Sequence, residues 1–398
     1  MRNAPMLEFP VSEFEHRISR LTAAMKQAGL DGILLTSKEN TRYFCGLQSI
    51  IWSSKVSTPG ILMLNADGAY RVVGSASASE TARYTGCVED ELVLHFNRNN
   101  LPGIPATYPD ALVQGLAQLG LCGKRVGMEY GAGCYLSLQL HWLDEVLEKS
   151  RIQAVDVSVL VLQLRSIKSE AEVGELRRTA ELNERSLRYA FEQTELGKTT
   201  EGDFFRLYAQ EAFRGGCENV LPLSVRFGPK RFGYANCPYR DDVRIEDVPH
   251  RALLVSGGLF RRGYYADAVR TGIVRGMSET QKLLHEACAE THRFALRTAR
   301  AGMPVRELCR EVDAFARQCS GAGAYLGCFG HGIGLDIREY PVLDSRSDAV
   351  LESGMVINLE VQYGDSETGL FCSEEPVLIG ENSAKPILDK VVEPYIFK

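Results

Sequence analysis

The chain has 398 residues, 45% of them hydrophobic and 24% charged, with a formal net charge of −6 and an isoelectric point near 5.8. This length predicts two domains rather than one hydrophobic core. The acidic balance excludes a surface for nucleic acid or an anionic membrane, because such partners need a basic stripe. No apolar run approaches the roughly 20 residues of a membrane span, and the first residues are largely polar. We therefore expect a soluble chain that is not exported.

The cysteines indicate a reducing compartment. There are 11 of them, scattered singly, with no CxxC pair and an odd total. This pattern favours free thiols over a disulfide framework or a zinc–thiolate site. The expected location is the cytoplasm.

The first part of the chain alternates helical and strand patterns. Ser12 and Glu15 fit a capping box, and apolar residues then recur at helical spacing as far as Gly29. Strands are predicted at 31–36, 61–65, 70–74, 125–130 and 152–158, with helical stretches between them. Residues 1–163 are therefore predicted to form a compact α/β domain.

In the second part of the chain, strands and helices are segregated. A capping box at Ser169 and Glu172 begins a helix that extends to Gln193. Further helices are predicted near 201–214, 279–300 and 304–319, and a hairpin lies at 253–272. Residues 164–398 are therefore predicted to form an α+β domain, with the boundary placed by the change in element pattern.

The hairpin LLVSGGLFRRGYYADAVRTG carries a single acid, Asp267. Side chains alternate along a strand, so Asp267 shares one face with Tyr265 and Val269. An unpaired carboxylate on that face would cost several kcal/mol, so it needs a cation. The cation is either a metal or an arginine such as Arg270.

Three more residues of the same kind follow towards the C-terminus. His331 stands between glycines in CFGHGIGLDIREYP, where the backbone can fold tightly and bring the imidazole close to a partner. Glu360 interrupts the strand MVINLEV, and Glu374 shares a face with Leu370 and Cys372 in GLFCSEEPVLIG. Each alone could be structural, but together they form an oxygen-rich set with one imidazole. That set suits Mn, Fe, Co or Zn.

The order of these motifs resembles the creatinase, methionine aminopeptidase and prolidase superfamily. GYYADAVRTG is similar to GYxxDxTRTF, GHGIGLDIREYP to GHGIGLDIHEPP, GMVINLEVQY to GMVxTIEPGxY, and GLFCSEEPVLI to GxRIEDTVLV. The resemblance covers essentially the whole chain. It implies a creatinase-like α/β N-terminal domain followed by an α+β catalytic domain of the pita-bread fold, in which two pseudo-symmetric halves surround a curved antiparallel sheet.

The resemblance also implies a metal centre. The family's ligands correspond to Asp267, His331, Glu360 and Glu374, and its remaining ligand, an aspartate, corresponds to Ser256. That aspartate serves only one of the two metals of the two-metal members. The substitution therefore implies one divalent transition metal (Mn, Fe, Co or Zn) rather than two.

Other departures from the family concern the reaction. Peptidases of the family have a histidine where Arg338 precedes Glu339, and a second histidine where this chain has Cys237 or Tyr239. Their loss argues against ordinary aminopeptidase activity. The planar guanidinium of Arg338 suits a substrate carboxylate, and the alternative is an internal salt bridge with Glu339 or Asp336.

The segment NTRYFCGLQSIIWSSK resembles the loop that, in creatinase-like dimers, reaches the active site of the partner subunit. The resemblance implies a homodimer in which Trp52 contacts the substrate, and the alternative is a Trp52 packed in the core. Ser54 stands where creatinase has a substrate-binding arginine. Lys55 is a weaker candidate, because most surface lysines are only solvated.

The sequence supports three functional hypotheses. The first is a single-metal enzyme that acts on a small carboxylate-bearing molecule by C–N hydrolysis or lyase chemistry, with Tyr239, Tyr264 and Glu339 as candidates for proton transfer. The second is a metal-free, creatinase-like amidinohydrolase that uses the same acids for proton transfer. The third is a catalytically inactive pita-bread module that binds a peptide or protein. The first is favoured, because an inactive site has no physical reason to keep buried acids.

Overall fold

The computed structural model describes residues 1–53, 60–96, 105, 107–134, 136–228, 239–319, 322–365, 369–388 and 393–398. The chain divides into two compact units, Met1–Leu164 and Arg165–Lys398. Three residues discussed above, Ser54, Lys55 and Cys237, lie outside the described residues. Within the described ranges, no helix is both long and apolar enough to cross a membrane.

The first unit is built on a mixed sheet. Its strands are β1 (Gly32–Leu35), β2 (Ile61–Asn65), β3 (Tyr70–Ser75), β4 (Val93–Phe96), β5 (Arg125–Met128) and β6 (Gln153–Asp156), and they lie in the order β4-β3-β2-β1-β5-β6. Its helices are α1 (Val11–Gln27), α2 (Lys38–Cys45), α3 (Ala76–Thr85), α4 (Tyr108–Gln118), α5 (Leu140–Ser150) and α6 (Ser158–Ser166), the last of which runs into the second unit. All five predicted strands form, and β4 is an additional one.

The capping box predicted at Ser12 is wrong. Helix α1 begins at Val11, with Pro10 at the N-cap position and no side-chain hydrogen bond to the cap. Ser12 therefore already lies inside the helix, where its hydroxyl cannot cap the first turn. The capping box at Ser169 is confirmed, because Ser169 and Glu172 make both reciprocal hydrogen bonds.

The second unit contains a large, mostly antiparallel sheet. Its helices are α7 (Glu170–Gln193), α8 (Glu201–Arg214), α9 (Glu279–Thr298) and α10 (Val305–Ala316). Its strands are β7 (Asn219–Val220), β8 (Ser224–Phe227), β9 (Ala252–Arg261), β10 (Tyr264–Val274), β11 (Tyr325–Gly332), β12 (Glu339–Leu343), β13 (Val356–Asp365), β14 (Gly369–Ile379), β15 (Ala384–Pro386) and β16 (Tyr395–Phe397). The main path of the sheet runs β12-β11-β13-β14-β10-β9-β7.

Two helix pairs pack against this sheet, each over its own apolar cluster. Helices α7 and α8 share a cluster with β8 and β9, and helices α9 and α10 share one with β13. The predicted inner stripe of α7 is buried, namely Leu176, Ala180, Leu187 and Ala190. Each buried leucine contributes about 1.5–3 kcal/mol relative to an exposed one. The helices thus cover one face of the strands.

Alternation along β13 shows what the other face carries. Ile357, Leu359 and Val361 belong to the cluster under α9 and α10. Asn358 and Glu360 stand between them in sequence and therefore point to the opposite face. The fold in this way separates an apolar face, which holds the helices, from a polar face.

Candidate metal centre

Strand pairing brings the four predicted ligands onto this polar face. Val269 on β10 pairs with Glu374 on β14, and Glu374 pairs with Glu360 on β13. Directly paired residues of antiparallel strands point to the same side of the sheet. Asp267 shares the face of Val269, and His331 on β11 lies opposite Asn358 on the same side. Residues far apart in the chain thus become neighbours.

The glycines beside His331 are required by close approach of two other strands. A Cβ atom on Gly330 would lie 2.1 Å from the carbonyl oxygen of Asn358. A Cβ atom on Gly332 would lie 2.1 Å from the carbonyl oxygen of Tyr340. Only glycine leaves room at both positions. The two glycines therefore let the backbone on each side of His331 lie against the neighbouring strands.

The ligand atoms lie within reach of a single ion. One donor atom each from Asp267, His331 and Glu374 can be chosen such that all lie within 4.8 Å of one another. The Nε2 atom of His331 is 3.8 Å from Oδ2 of Asp267 and 3.7 Å from Oε1 of Glu360. All four side chains are buried. Glu360 therefore borders the same cluster.

Hydrogen bonding fixes the tautomer of His331. Its Nδ1 atom is 2.9 Å from the carbonyl oxygen of Gly332, which can only accept, so Nδ1 carries the proton. The Nε2 atom of the neutral ring then presents a lone pair towards the carboxylates. Within the described residues, neither this Nε2 nor Oε2 of Glu374 has a hydrogen-bond partner. Two buried donor atoms are thus available to a cation.

The electrostatics of the cluster also fit a cation. Burial, and then the charge of Glu360, raises the pKa of Asp267 to about 7. Burial, Glu360 and Asp267 together raise the pKa of Glu374 well above its ordinary value. Burial lowers the pKa of His331 to about 4, so the imidazole is neutral near pH 7. Three carboxylates that repel one another beside a neutral imidazole are the donor set of a divalent ion.

Glu360, Glu374 and Val269 form a row of paired residues across the sheet, and this row continues to Ser256, the position of the family's remaining aspartate. Ser256 on β9 pairs with Val269, which in turn pairs with Glu374. On β10 and β9 the row therefore carries the isopropyl group of Val269 and the hydroxyl of Ser256, and neither is an anionic ligand. The half-buried Ser256 supplies no charge for a second ion.

Glu339, predicted to transfer a proton, is held in a structural ion pair instead. It contacts the guanidinium of Arg165, and its Oε2 is 3.5 Å from Nζ of Lys168. Its Oε1 also accepts from the backbone N–H of Asp336 at 3.0 Å. Burial would raise the pKa of Glu339, but the charges of Arg165 and Lys168 outweigh it and hold that pKa below its ordinary value. A carboxylate held ionised in this way is a poor proton donor.

Arg338 is placed differently from Glu339. Its side chain is exposed. Its positive charge partly offsets the rise in the pKa of both Asp267 and Glu374, so it lies near the cluster. Within the described residues it forms no ion pair, because Glu339 is taken up by Arg165 and Lys168. The predicted alternative of a salt bridge between Arg338 and Glu339 is therefore wrong.

The aromatic candidates have other contacts. The hydroxyl of Tyr264 donates to Oε1 of Glu172 at 2.9 Å inside the protein, and its role in proton transfer stays a prediction. The ring of Tyr239 stacks on Phe205 at 4.6 Å between centroids, and the half-buried ring of Trp52 lies against Gly60 in the first unit. Contact of Tyr239 or Trp52 with a substrate stays a prediction.

The sequence placed one neighbour of the centre, Tyr265, on the face of Asp267 and missed two others. Tyr265 lies two residues before Asp267 on the same strand face and is buried. Asn358 and Gln362 flank Glu360 on β13, and each donates a hydrogen bond to a ligand carboxylate. Alternation could also have indicated Gln362, which lies two residues from Glu360 on the same strand. The hydrogen bond of Asn358 to Glu374 depends on how β13 pairs with β14.

Comparison with known proteins agrees with this arrangement. Residues 174–381 match the model of metallopeptidase family M24, and residues 17–167 match that of the creatinase/prolidase N-terminal domain. A Xaa-Pro dipeptidase of Pyrococcus furiosus is 23% identical over 93% of this chain and 97% of its own.

Solved structures share the fold. A Xaa-Pro dipeptidase from Bacillus anthracis superposes with a TM-score of 0.79 at 22% identity, over 96% of this chain and 100% of its own. Dipeptidase PepE from Mycobacterium ulcerans gives a TM-score of 0.80 at 20% identity, over 98% of this chain and 99% of its own. The predicted architecture, a creatinase-like N-terminal domain before a pita-bread catalytic domain, is confirmed.

Proposed function

Since the chain belongs to metallopeptidase family M24 and carries a creatinase/prolidase N-terminal domain, we propose that it is a metal-dependent hydrolase of a C–N bond. Its substrate is a small molecule that bears a carboxylate, and a dipeptide is the first candidate. The observation that carries the proposal is the buried cluster of His331 Nε2 and carboxylate oxygens beside a guanidinium that has no ion-pair partner in the described part of the chain.

The centre holds one divalent ion. Asp267, His331, Glu360 and Glu374 would bind it, and Mn, Fe, Co and Zn all suit one imidazole with three carboxylates. A second ion is disfavoured because Ser256 contributes no charge. When bound, such an ion polarises a carbonyl group and lowers the pKa of a coordinated water.

Arg338 binds the carboxylate of the substrate. It is exposed, lies close enough to act on Asp267 and Glu374, and stands next to Glu339. The hydrogen bond from the N–H of Asp336 to Glu339 ties down the turn that carries Arg338, so the guanidinium starts from a fixed backbone. A forked, permanently charged donor there orients a carboxylate and leaves the scissile bond near the cluster.

The relatives correct one expectation about the substrate. Loss of the two family histidines argued against ordinary aminopeptidase activity, but the relatives do not support a substrate other than a peptide, since they are named Xaa-Pro dipeptidases. A dipeptide is itself small, carries a carboxylate and contains a C–N bond. No specific observation favours lyase chemistry, the metal-free amidinohydrolase or the inactive module.

The proposal extends to the oligomeric state of the protein and its location in the cell. The protein is a homodimer in which the segment around Trp52 reaches the active site of the partner subunit. Two apolar residues of this segment support the proposal, because Ile50 is 92% exposed and Ile51 is 48% exposed. The free cysteines support a cytoplasmic location, where thiols stay reduced.

Hydrolysis of matched substrates tests the proposed function. We expect the Mn²⁺-loaded protein to cleave Xaa-Pro dipeptides, and a chelator to abolish cleavage. Amidating the C-terminal carboxylate, or making R338M, should each raise KM roughly 10- to 150-fold, the equivalent of one lost hydrogen-bonded charge. R346M removes an exposed arginine that pairs with Asp344 and should change nothing. Metal-independent cleavage, or equal KM values for R338M and the wild type, would contradict the proposal.

A further inference from the structure

Strand β13 places a carboxamide on each side of Glu360, on the face that carries the metal ligands. Asn358 is completely buried, and its Nδ2 donates to Oε1 of Glu374 at 2.7 Å. Gln362 is 5% exposed, and its Nε2 donates to Oε2 of Glu360 at 3.2 Å. Both glutamate ligands therefore receive a hydrogen bond from a neutral amide.

The orientation of the Asn358 amide follows from chemistry. A carboxylate only accepts, so the NH₂ group must face Glu374. In the described part of the chain, Oε2 of Glu374 has no hydrogen-bond partner. One oxygen of the carboxylate is thus occupied by Asn358, and Oε2 is the oxygen without a hydrogen bond that Glu374 can offer beside His331 and Asp267.

A neutral donor suits this position better than a cation. An arginine or lysine beside Glu374 would satisfy its charge and compete with a metal ion. An amide fixes the rotation of the carboxylate and leaves its charge in place, as outer partners of metal ligands do. The complete burial of Asn358 keeps water from replacing the hydrogen bond.

We propose that Asn358 is a positioning residue that makes Glu374 present a single oxygen to the metal, and that Gln362 has the same role for Glu360. This inference rests on the proposed function, because it presumes a metal at the cluster. It adds that the strength of metal binding is set by amides that do not touch the ion. The family motif GMVxTIEPGxY has a threonine at the position of Asn358, and a hydroxyl can also donate to a carboxylate.

Calorimetric titration of chelator-stripped protein with MnCl₂ tests the role of Asn358. N358L keeps the size of the side chain and removes the donor, so we expect Mn²⁺ to bind roughly 10- to 100-fold more weakly. N358T keeps a donor and should recover most of the loss. Recovery by N358T distinguishes positioning from packing, because threonine fills the space less well than leucine.

The first unit supplies a matched control. Asn40 is buried and donates through Nδ2 to the buried carboxylate of Glu129, but it belongs to the other compact unit. N40L should destabilise the fold and leave the Mn²⁺ affinity unchanged. If circular dichroism shows that N358L does not fold, N358A removes the donor with less steric demand and gives the same readout.

The outcomes separate this inference from the proposed function. Tight binding by the wild type with weaker binding by N358L supports both. Binding by N358L within about threefold of the wild type overturns the role of Asn358 and leaves the metal centre intact, since the smallest loss expected is roughly tenfold. Absence of Mn²⁺ binding by the wild type overturns the metal centre itself, and this inference with it.

Discussion

The carboxylate of Asp267 is tolerated inside the protein only together with its neighbours. Burial, and then the charge of Glu360, raises the pKa of both Asp267 and Glu374, because the three acids repel one another in the absence of a cation. The neutral Nε2 of His331 accepts no hydrogen bond from them. The contribution of these residues to the stability of the fold therefore depends on whether a cation binds between them.

Replacing Glu360 by glutamine tests this repulsion and the metal site together. E360Q removes one of three mutually repelling charges, so chelator-stripped E360Q should be more stable than the stripped wild type. A gain of about 1 kcal/mol would raise Tm by roughly 2–4 °C for a unit of the size of Arg165–Lys398. With Mn²⁺ added the order should reverse, because the variant has lost a ligand, and hydrolysis should be lost.

The matched control is E352Q, which changes an exposed glutamate just before β13. It should melt like the wild type with and without Mn²⁺. An E360Q protein that keeps its activity, or one whose Tm rises as much with Mn²⁺ as that of the wild type, would show that Glu360 is not a ligand.

At this scale, the sequence alone identified which residues carry charge in apolar surroundings. Alternation along the strands correctly placed Glu360 on the face opposite Ile357 and Leu359, and Glu374 on the face of Leu370 and Cys372. It could not identify the partners of Glu339, because Arg165 and Lys168 are more than 170 positions away in the chain. The hydrogen bond of Tyr264 could not be predicted for the same reason, since its partner Glu172 belongs to another element.

At the scale of elements, the turn between β11 and β12 connects the centre to the rest of the second unit. Glu339 begins β12, accepts the N–H of Asp336 and contacts Arg165 at the end of α6. The same carboxylate pairs with Lys168, whose pKa is lowered by burial. The turn that carries Arg338 is in this way fixed by a buried ion pair.

Breaking this ion pair should be costly and pH-dependent. E339Q removes the carboxylate that pairs with two buried cations and should cost roughly 3–5 kcal/mol of unfolding free energy. The folded-state pKa of Glu339 is depressed, so its contribution is present above the ordinary glutamate pKa of about 4.3 and is lost as pH falls through the lower folded value. Urea unfolding should therefore show a difference between wild type and E339Q that is constant near pH 7 and shrinks below about pH 4. A difference that grows on acidification would contradict this account.

Elements with strong local signals were predictable, and those defined by long-range pairing were not. Helix α7 begins at the capping box of Ser169 and buries its predicted stripe. Strand β4 was missed because four residues carry little periodicity, and its existence depends on pairing with β3. The hydrogen bond from Asn358 to Glu374 forms only because of the register of β13 with β14.

At the scale of the whole molecule, the proposed dimer predicts that one protomer completes the site of the other. In W52A the ligands are intact and the proposed loop is impaired, while in E360Q the loop is intact and a ligand is lost. Dimers that combine the two variants contain one complete site, so mixing two inactive proteins after mild dissociation should restore partial activity. Light scattering should report two chains per particle. No recovery from mixed dimers would mean that each site is complete within one chain.

The number of metal ions bound per chain is the most direct test of a single-metal centre. Chelator-stripped protein is saturated with Mn²⁺, freed of excess metal by gel filtration and analysed by plasma mass spectrometry. We expect one ion per chain for the wild type. For S256D we expect two, because Ser256 lies in the row of paired residues that includes Glu374 and Glu360. A wild-type protein that retains two ions or none, or an S256D protein that gains no second ion, would contradict this expectation.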